Sequence, residues 1–234
     1  MIYGLILAGG IGRRMGKDIP KQYLRIGGKS IISHTIGKFI SSDLFEKVIV
    51  LTPHDWIDYT KEIIENDIKN NADIIVIPGG ELRNDTIMNG IDYIEKHFGI
   101  DDETIVVTHD AVRPFVTERM LADNVSAMEK YSSCDTVVPA TDTIVRSEDA
   151  EYIDEVPDRA KLYQGQTPQT FRATAFRRHY MSLTQEEKNI LTDAIKVFVI
   201  KGEKVGLVEG DTTNIKITYP SDITVAKSIL QEDK

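Results

Sequence analysis

Cysteine is almost absent from this 234-residue chain. Cys134 stands alone, so no internal disulfide can form and nothing points to an oxidising compartment. Its setting, the apolar run "CDTVVPA", reads as that of a buried structural thiol and not of a nucleophile. Long apolar runs are missing as well. No stretch approaches the ~20 residues of a membrane span. The opening "MIYGLILAGG" has neither the basic start nor the apolar length of a secretory leader, so the expectation is a cytoplasmic protein without a membrane partner. Positive charge is in deficit, with 28 Lys+Arg against 37 Asp+Glu and a net charge of −9. That balance excludes a general binder of nucleic acid or of anionic membranes, although a local basic cluster can still hold a small anion. Neither G-x-G-x-x-G nor G-x-x-x-x-G-K-[ST] occurs, and no internal repeat or low-complexity tract appears.

What remains is the composition of an ordinary globular protein, 41% apolar and 28% charged, long enough for one large domain over residues 1–234. Short β-branched runs alternate with amphipathic segments. "IYGLIL" (2–7), "KVIVL" (47–51), "DIIVI" (73–77) and "TIVVTH" (104–109) read as buried strands of a parallel sheet. Ile31, Ile32, Thr35, Ile36, Phe39 and Ile40 share one helical face, as do Ile87, Ile91 and Ile94; Ile57, Ile63, Ile64 and Ile68 fit more loosely. The order predicts an α/β fold, a doubly wound and mostly parallel sheet with right-handed crossovers. After residue 140 the rhythm changes. Two short extended runs around "SEDAE" predict a protruding β-arm over about residues 142–165. "TDAIKVFVIKGEKVGLVEGD" then reads as helix and strand, "NIKIT" as a last short strand, and Ser221 as the cap of a closing helix.

The stretch "LAGGIGRRMGKDIPKQYL" (7–24) follows the first strand, at the edge where open parallel sheets bind ligands. Its glycines bring backbone amides close to a ligand. Arg13, Arg14, Lys17 and Lys21 exceed what a dinucleotide requires and suit a reacting triphosphate, whose charge has to be stabilised as phosphorus is transferred.

This stretch resembles the L/A-A-G-x-G-x-R-M…P-K-Q signature of small cytidylyltransferases that activate polyol phosphates. "GGELRNDTIMNG", "THDAVRPF", "DTIV", "DRAKLYQGQTPQTF", "LTDA" and "NIKIT" continue the resemblance, in the same order, over nearly the whole chain. Two families share it, ribitol-5-phosphate cytidylyltransferase and 2-C-methyl-D-erythritol 4-phosphate cytidylyltransferase. "LAGG", "HDAVRPF" and "YQGQTPQTF" lean toward the ribitol type, whose product would supply cell-wall polymers of the teichoic acid kind. Either reading implies CTP as co-substrate and Mg²⁺ or another divalent cation as cofactor.

The resemblance assigns transition-state contacts to Arg14 and Lys21, and leaves Arg13 as a second phosphate contact or a brace for the loop. It places the nucleotide against Leu7, Ala8, Gly9, Gly10 and Ala111. Cytosine falls to Gly80, Glu81, Leu82, Arg83, Asn84, Asp85 and Thr86, with Gly80 opening space. Asp110 is a metal ligand or a contact to polyol hydroxyls, and Arg113 neutralises a phosphate or pairs with Asp110. Thr143, Arg159 and Thr167 contact the polyol phosphate, with Lys216 positioning that phosphate beside Arg159. His109 is read as a packed residue. The arm would cross to a second subunit, which makes a homodimer necessary. A nicotinamide-dependent dehydrogenase and a silent nucleotide sensor are the rival classes; the first predicts no pyrophosphate release, and the second would have no use for the cations.

Overall fold

The computed structural model describes residues 1–10, 19–69 and 71–232. Its strands are β1 (Ile2–Leu7), β2 (Arg25–Ile26), β3 (Lys29–Ser30), β4 (Lys47–Thr52), β5 (Ile74–Pro78), β6 (Ile105–Asp110), β7 (Ser133–Pro139), β8 (Tyr163–Arg172) and β9 (Gly206–Glu209). The helices are α1 (Ile31–Ser41), α2 (Ile57–Asp67), α3 (Arg83–Phe98), α4 (Glu118–Ala127), α5 (Ala173–Met181), α6 (Gln185–Asn189), α7 (Ile195–Ile200) and α8 (Pro220–Glu232). Seven strands form one sheet in the order β5-β4-β1-β6-β8-β7-β9, and β2 pairs with β3 apart from it. All neighbours in the large sheet run parallel except β8, which is antiparallel to both β6 and β7.

Alternation along the strands divides the core. Tyr3, Leu5, Ile49 and Leu51 face α3, α5 and α7 through Ile87, Ile91, Phe176 and Phe198. Ile6, Val48 and Val50 face α1, α2 and α4 through Ile36, Phe39, Ile63 and Leu121. Both faces are covered, which is why these strands read as unbroken apolar runs. A third cluster joins Ile26, Ile31, Val112 and Phe115 to Ile217 and Ala226, and so fastens α8 and the segment before it beside the start of α1. Cys134 is fully buried, and burial pushes its thiol up to about 12.

Three expectations change. "NIKIT" is irregular, because its polar groups bond to loops and not to a ladder: the Ile217 amide donates to the Val112 carbonyl at 2.9 Å, and Arg113 donates to the Asn214 carbonyl at 2.8 Å. Ser221 lies inside α8, which opens on Pro220; the Asp222 carboxylate accepts from the Thr218 and Tyr219 amides at 2.7 and 2.8 Å. Residues 163–165 belong to β8, paired with Val137–Pro139, and the exposed stretch before them carries a single antiparallel bridge, Arg146 to Glu155.

β8 carries an apolar end into the core and a polar end to the rim. Phe171 is fully buried, stacked on Phe176 with ring centroids 4.6 Å apart. Phe171→Ala should therefore cost about 3–5 kcal/mol, the range for emptying an aromatic core site. Urea unfolding measures this, and a loss under about 1 kcal/mol would show that the anchor lies elsewhere.

Candidate active site

β1 is flanked by β4 on one side and β6 on the other, because the chain winds outward through β4 to β5 and then crosses back to β6. Such a point opens a crevice beyond the strand ends. A cavity of about 310 Å³ lies there. Leu7, Ala8, Gly9 and Gly10 leave β1 along one wall; Gly80, Glu81, Leu82, Arg83 and Thr86 form the turn into α3; Asp110 and Ala111 close the end of β6. Lys21 and Lys216 complete the lining, together with Gln22 and Val112, which had no assigned role. Gln22 fixes the wall by donating from Nε2 to the Ala8 carbonyl at 2.8 Å. Lys21 is buried in the short 3-10 turn Lys21–Tyr23.

A second cavity, of about 180 Å³, shares Arg83, Asp110 and Lys216 with the first. Arg113 and Thr167 also line it, as do Gly165, Gln166, Gln169, Thr192 and Asp193. The junction of the two cavities is an ionic cluster. Asp110 Oδ1 accepts from Arg83, and Oδ2 meets Lys216 Nζ at 2.9 Å and Arg113 Nε at 3.5 Å. Burial alone would raise the pKa of this carboxyl; the Arg83, Lys216 and Arg113 charges outweigh it and hold the group well below the usual carboxylate range. Three cations around one anion leave an excess of positive charge in an otherwise acidic chain. Arg83 Nε is buried with no hydrogen-bond partner among the described residues.

Behind Asp110 runs a polar chain. The Asp110 amide donates to Thr167 Oγ1 at 3.2 Å, and Thr167 Oγ1 pairs with His109 Nδ1 at 2.8 Å. His109 Nε2 lies 3.0 Å from the Arg113 carbonyl. That network assigns the neutral tautomer with the proton on Nε2. His109 is fully buried, in line with its reading as a packed residue, and burial pushes the ring down to about 4.

Several assigned residues lie elsewhere. Asn84 and Asp85 line neither cavity, because the first turn of α3 rotates them away from Arg83 and Thr86. Asn84 Nδ2 donates to the Asp193 carbonyl at 3.3 Å, and Asp85 accepts from Tyr180 at 2.6 Å and from the Leu82 amide at 3.3 Å. Gly80 does not open space. A Cβ there would come within 2.8 Å of the Asp85 carbonyl carbon and 2.9 Å of the Thr86 nitrogen, so glycine lets the turn close onto its own helix. Thr143 and Arg159 are exposed and line neither cavity, and Arg159 donates to the Thr141 carbonyl at 2.8 Å. Arg13, Arg14 and Lys17 lie outside the described residues. Arg113 is held between Asp110 and the Asn214 carbonyl, which favours the pairing alternative over direct phosphate contact. Asp110 does not fit a metal ligand, since cations occupy both of its oxygens. Among the described residues no cluster of acidic, His or Cys side chains is arranged to hold a metal. The overlooked residues sat in view, in "PKQ", "YQGQTPQTF" and "LTDA", as letters without a role.

The sequence model of the family described as "IspD: 2-C-methyl-D-erythritol 4-phosphate cytidylyltransferase" matches residues 2–232. The chain belongs to the IspD family. It is thus a CTP-dependent cytidylyltransferase, a kind of nucleotidyltransferase. The solved 4-diphosphocytidyl-2C-methyl-D-erythritol synthase of Anaerococcus prevotii is 28% identical, with a TM-score of 0.81 over 99% of this chain and 96% of that one. The 2-C-methyl-D-erythritol 4-phosphate cytidylyltransferase of Francisella tularensis is 27% identical, with a TM-score of 0.79 over 97% and 98%. The sheet order and flanking helices are those of this nucleotidyltransferase-like fold. No helix among the described residues is long and apolar enough to cross a membrane.

The depressed pKa of His109 has a consequence for stability. With the folded value at about 4 and the ordinary value at 6.5, the unfolded chain takes up the proton first. The contribution of the neutral ring is complete above pH 6.5 and is lost as the pH falls toward 4. The fall in Tm across that window should be shallower in His109→Gln than in the wild type. Equal slopes would mean that another group carries the titration.

Proposed function

We propose that the two cavities hold the two reactants of cytidylyl transfer, CTP in the larger and a polyol phosphate in the smaller. The observation that carries this reading is the cluster at their junction, where Arg83, Asp110 and Lys216 line both spaces. Joining two polyanions demands cationic charge at the contact and little else. The acceptor phosphate has a second pKa of about 6 and is mostly dianionic at neutral pH. Its oxygen attacks the α-phosphorus; the new P–O bond forms as the bond to the β-phosphate bridge breaks, and pyrophosphate leaves. No general base is required, in keeping with a His109 whose ring nitrogens are both engaged. Lys21 would steady the triphosphate from the first wall, the role that the sequence motif also assigns to Arg14. Lys216 and Arg83 would draw the acceptor phosphate to the junction. Asp110 holds these cations together and in place before substrate arrives.

The acceptor supported best is 2-C-methyl-D-erythritol 4-phosphate, which the family description and the Francisella relative's name both give, while the Anaerococcus relative is named for the 4-diphosphocytidyl derivative of 2C-methyl-D-erythritol. D-Ribitol 5-phosphate is the second reading, favoured by the "LAGG", "HDAVRPF" and "YQGQTPQTF" motifs. Pyrophosphate release from CTP with each acceptor tests both, and the faster acceptor by kcat/KM decides. Silence with both would overturn the reading. Lys21→Ala and Lys216→Ala should each lower kcat/KM by ~10²-fold, the scale of removing one preorganised charge.

Thr143 and Arg159 enter the site if a second copy presents them. The segment that bears them exposes Val145, Tyr152, Ile153 and Val156, at 49%, 67%, 63% and 58%, an apolar surface suited to a partner. A homodimer with shared sites makes a sharp prediction. Lys21→Ala and Arg159→Ala proteins, each nearly inactive alone, should regain activity when mixed and allowed to exchange subunits, because one site of the hybrid is then intact. Absence of complementation, with exchange verified, would place Arg159 outside the site.

A further inference from the structure

The floor of the smaller cavity is built on the β7–β8 ladder, where Asp135 lies opposite Gln169 and Val137 opposite Gly165. The register shifts between these two pairs, so strict alternation fails across the intervening β8 residues, and Gly165, Gln166, Thr167 and Gln169 all line the cavity. Asp135 sits one layer deeper. Its Oδ1 accepts from Gln169 Nε2 at 3.0 Å, and the Gln169 Oε1 in turn accepts from the Ala194 amide at 3.3 Å, next to the cavity residues Thr192 and Asp193. Its Oδ2 takes no hydrogen bond from the described residues, and a Cβ at Gly165 would stand 3.4 Å from it. The missing side chain at 165 therefore leaves a gap between a half-buried carboxylate oxygen and the cavity. The same cavity is lined by Arg83 and Lys216, where an acceptor phosphate would be held.

We propose that Asp135 is a specificity-determining residue that accepts a hydrogen bond, through the gap at Gly165, from an acceptor hydroxyl remote from the phosphate. The proposal rests on the acceptor reading of the smaller cavity. An ionised carboxylate is acceptor-only, which suits the hydroxyls of a polyol and rejects a second anionic or apolar end. Asp135 also carries an electrostatic cost. Burial, reinforced by Asp193, pushes its carboxyl up to about 6 against the opposing influence of Gln169, Arg83 and Arg113. Its folded pKa thus lies above the ordinary value of 3.8, so stability is lost as the pH rises through about 6. A polyol hydroxyl bonded to Oδ2 would offset part of that cost on binding.

The experiment compares wild type, Asp135→Asn and Gly165→Ala by steady-state kinetics with CTP and the preferred polyol phosphate. Glycerol 3-phosphate, which keeps the phosphate but lacks the far hydroxyls, serves as a competitive inhibitor of the acceptor. Both variants should raise the acceptor KM about tenfold, leave the KM for CTP unchanged, and leave the inhibition constant of glycerol 3-phosphate unchanged. Equal weakening of both phosphates, or an effect confined to CTP, would overturn the proposal. Thr192→Val separates it from the reading beneath it. If Thr192→Val raises the acceptor KM while the other two variants do not, the role of Asp135 falls and the cavity stands. If all three leave it unchanged, both fall. Thermal melts complete the test: Asp135→Asn should gain Tm at pH 7.5 and lose that gain near pH 4, whereas a lower Tm at pH 7.5 would mark Asp135 as a structural support and overturn the proposal.

Discussion

One buried carboxylate organises the site. Asp110 sits at the last position of β6 and meets Arg83 from the turn into α3, Arg113 from the loop beyond its own strand, and Lys216 from the irregular segment ahead of α8. Three cations, from three separate stretches of sequence, thus converge on a single side chain. Alone, three cations packed this closely would repel one another and pull their segments apart; with Asp110 between them they are held together and still carry surplus charge. Electrostatic work is done during folding, and the field is in place before any phosphate arrives. The neutral chain of Thr167 and His109 behind Asp110 keeps the local charge count from changing with pH near neutrality.

The sheet was legible where its strands lie between two helical layers, because residues such as Leu5, Ile49 and Val107 are buried on either face and appear as continuous apolar runs. β8 was harder to see. "YQGQTPQTFR" is polar, contains proline and turns one end toward a cavity, so its ten residues carry no apolar alternation. "NIKIT" misled in the opposite sense: its alternate isoleucines are genuine, but Ile217 packs against Phe115 and α8 in a segment whose amides are satisfied by loops. Pattern reports which side of a segment is buried, and it does not report what satisfies the backbone.

The site divides in a similar way. The family resemblance singled out Lys21, Arg83, Asp110 and Lys216, and the fold gathers all four at one rim. It failed within the first turn of α3. Consecutive residues there point about 100° apart, and a motif read as a continuous string gives Asn84 and Asp85 the role of neighbours they turn away from. It failed again for Gly80, where the constraint comes from the backbone of the glycine's own helix. Arg159 and Thr143 pose a different problem, because a single chain does not bring them to the cavities they were expected to serve.

The reversed direction of β8 carries an implication of its own. In a wholly parallel sheet every strand would deliver its final residue to the ligand rim, and each loop there would serve whatever molecule was bound. By running the other way, β8 delivers its beginning to that rim, and the residues it contributes border the smaller cavity but not the larger one. Under the proposed division of the reactants, the choice of acceptor is encoded on a strand that takes no part in holding the nucleotide. Selection could then retune the alcohol being activated, substitution by substitution, while leaving the activation chemistry intact.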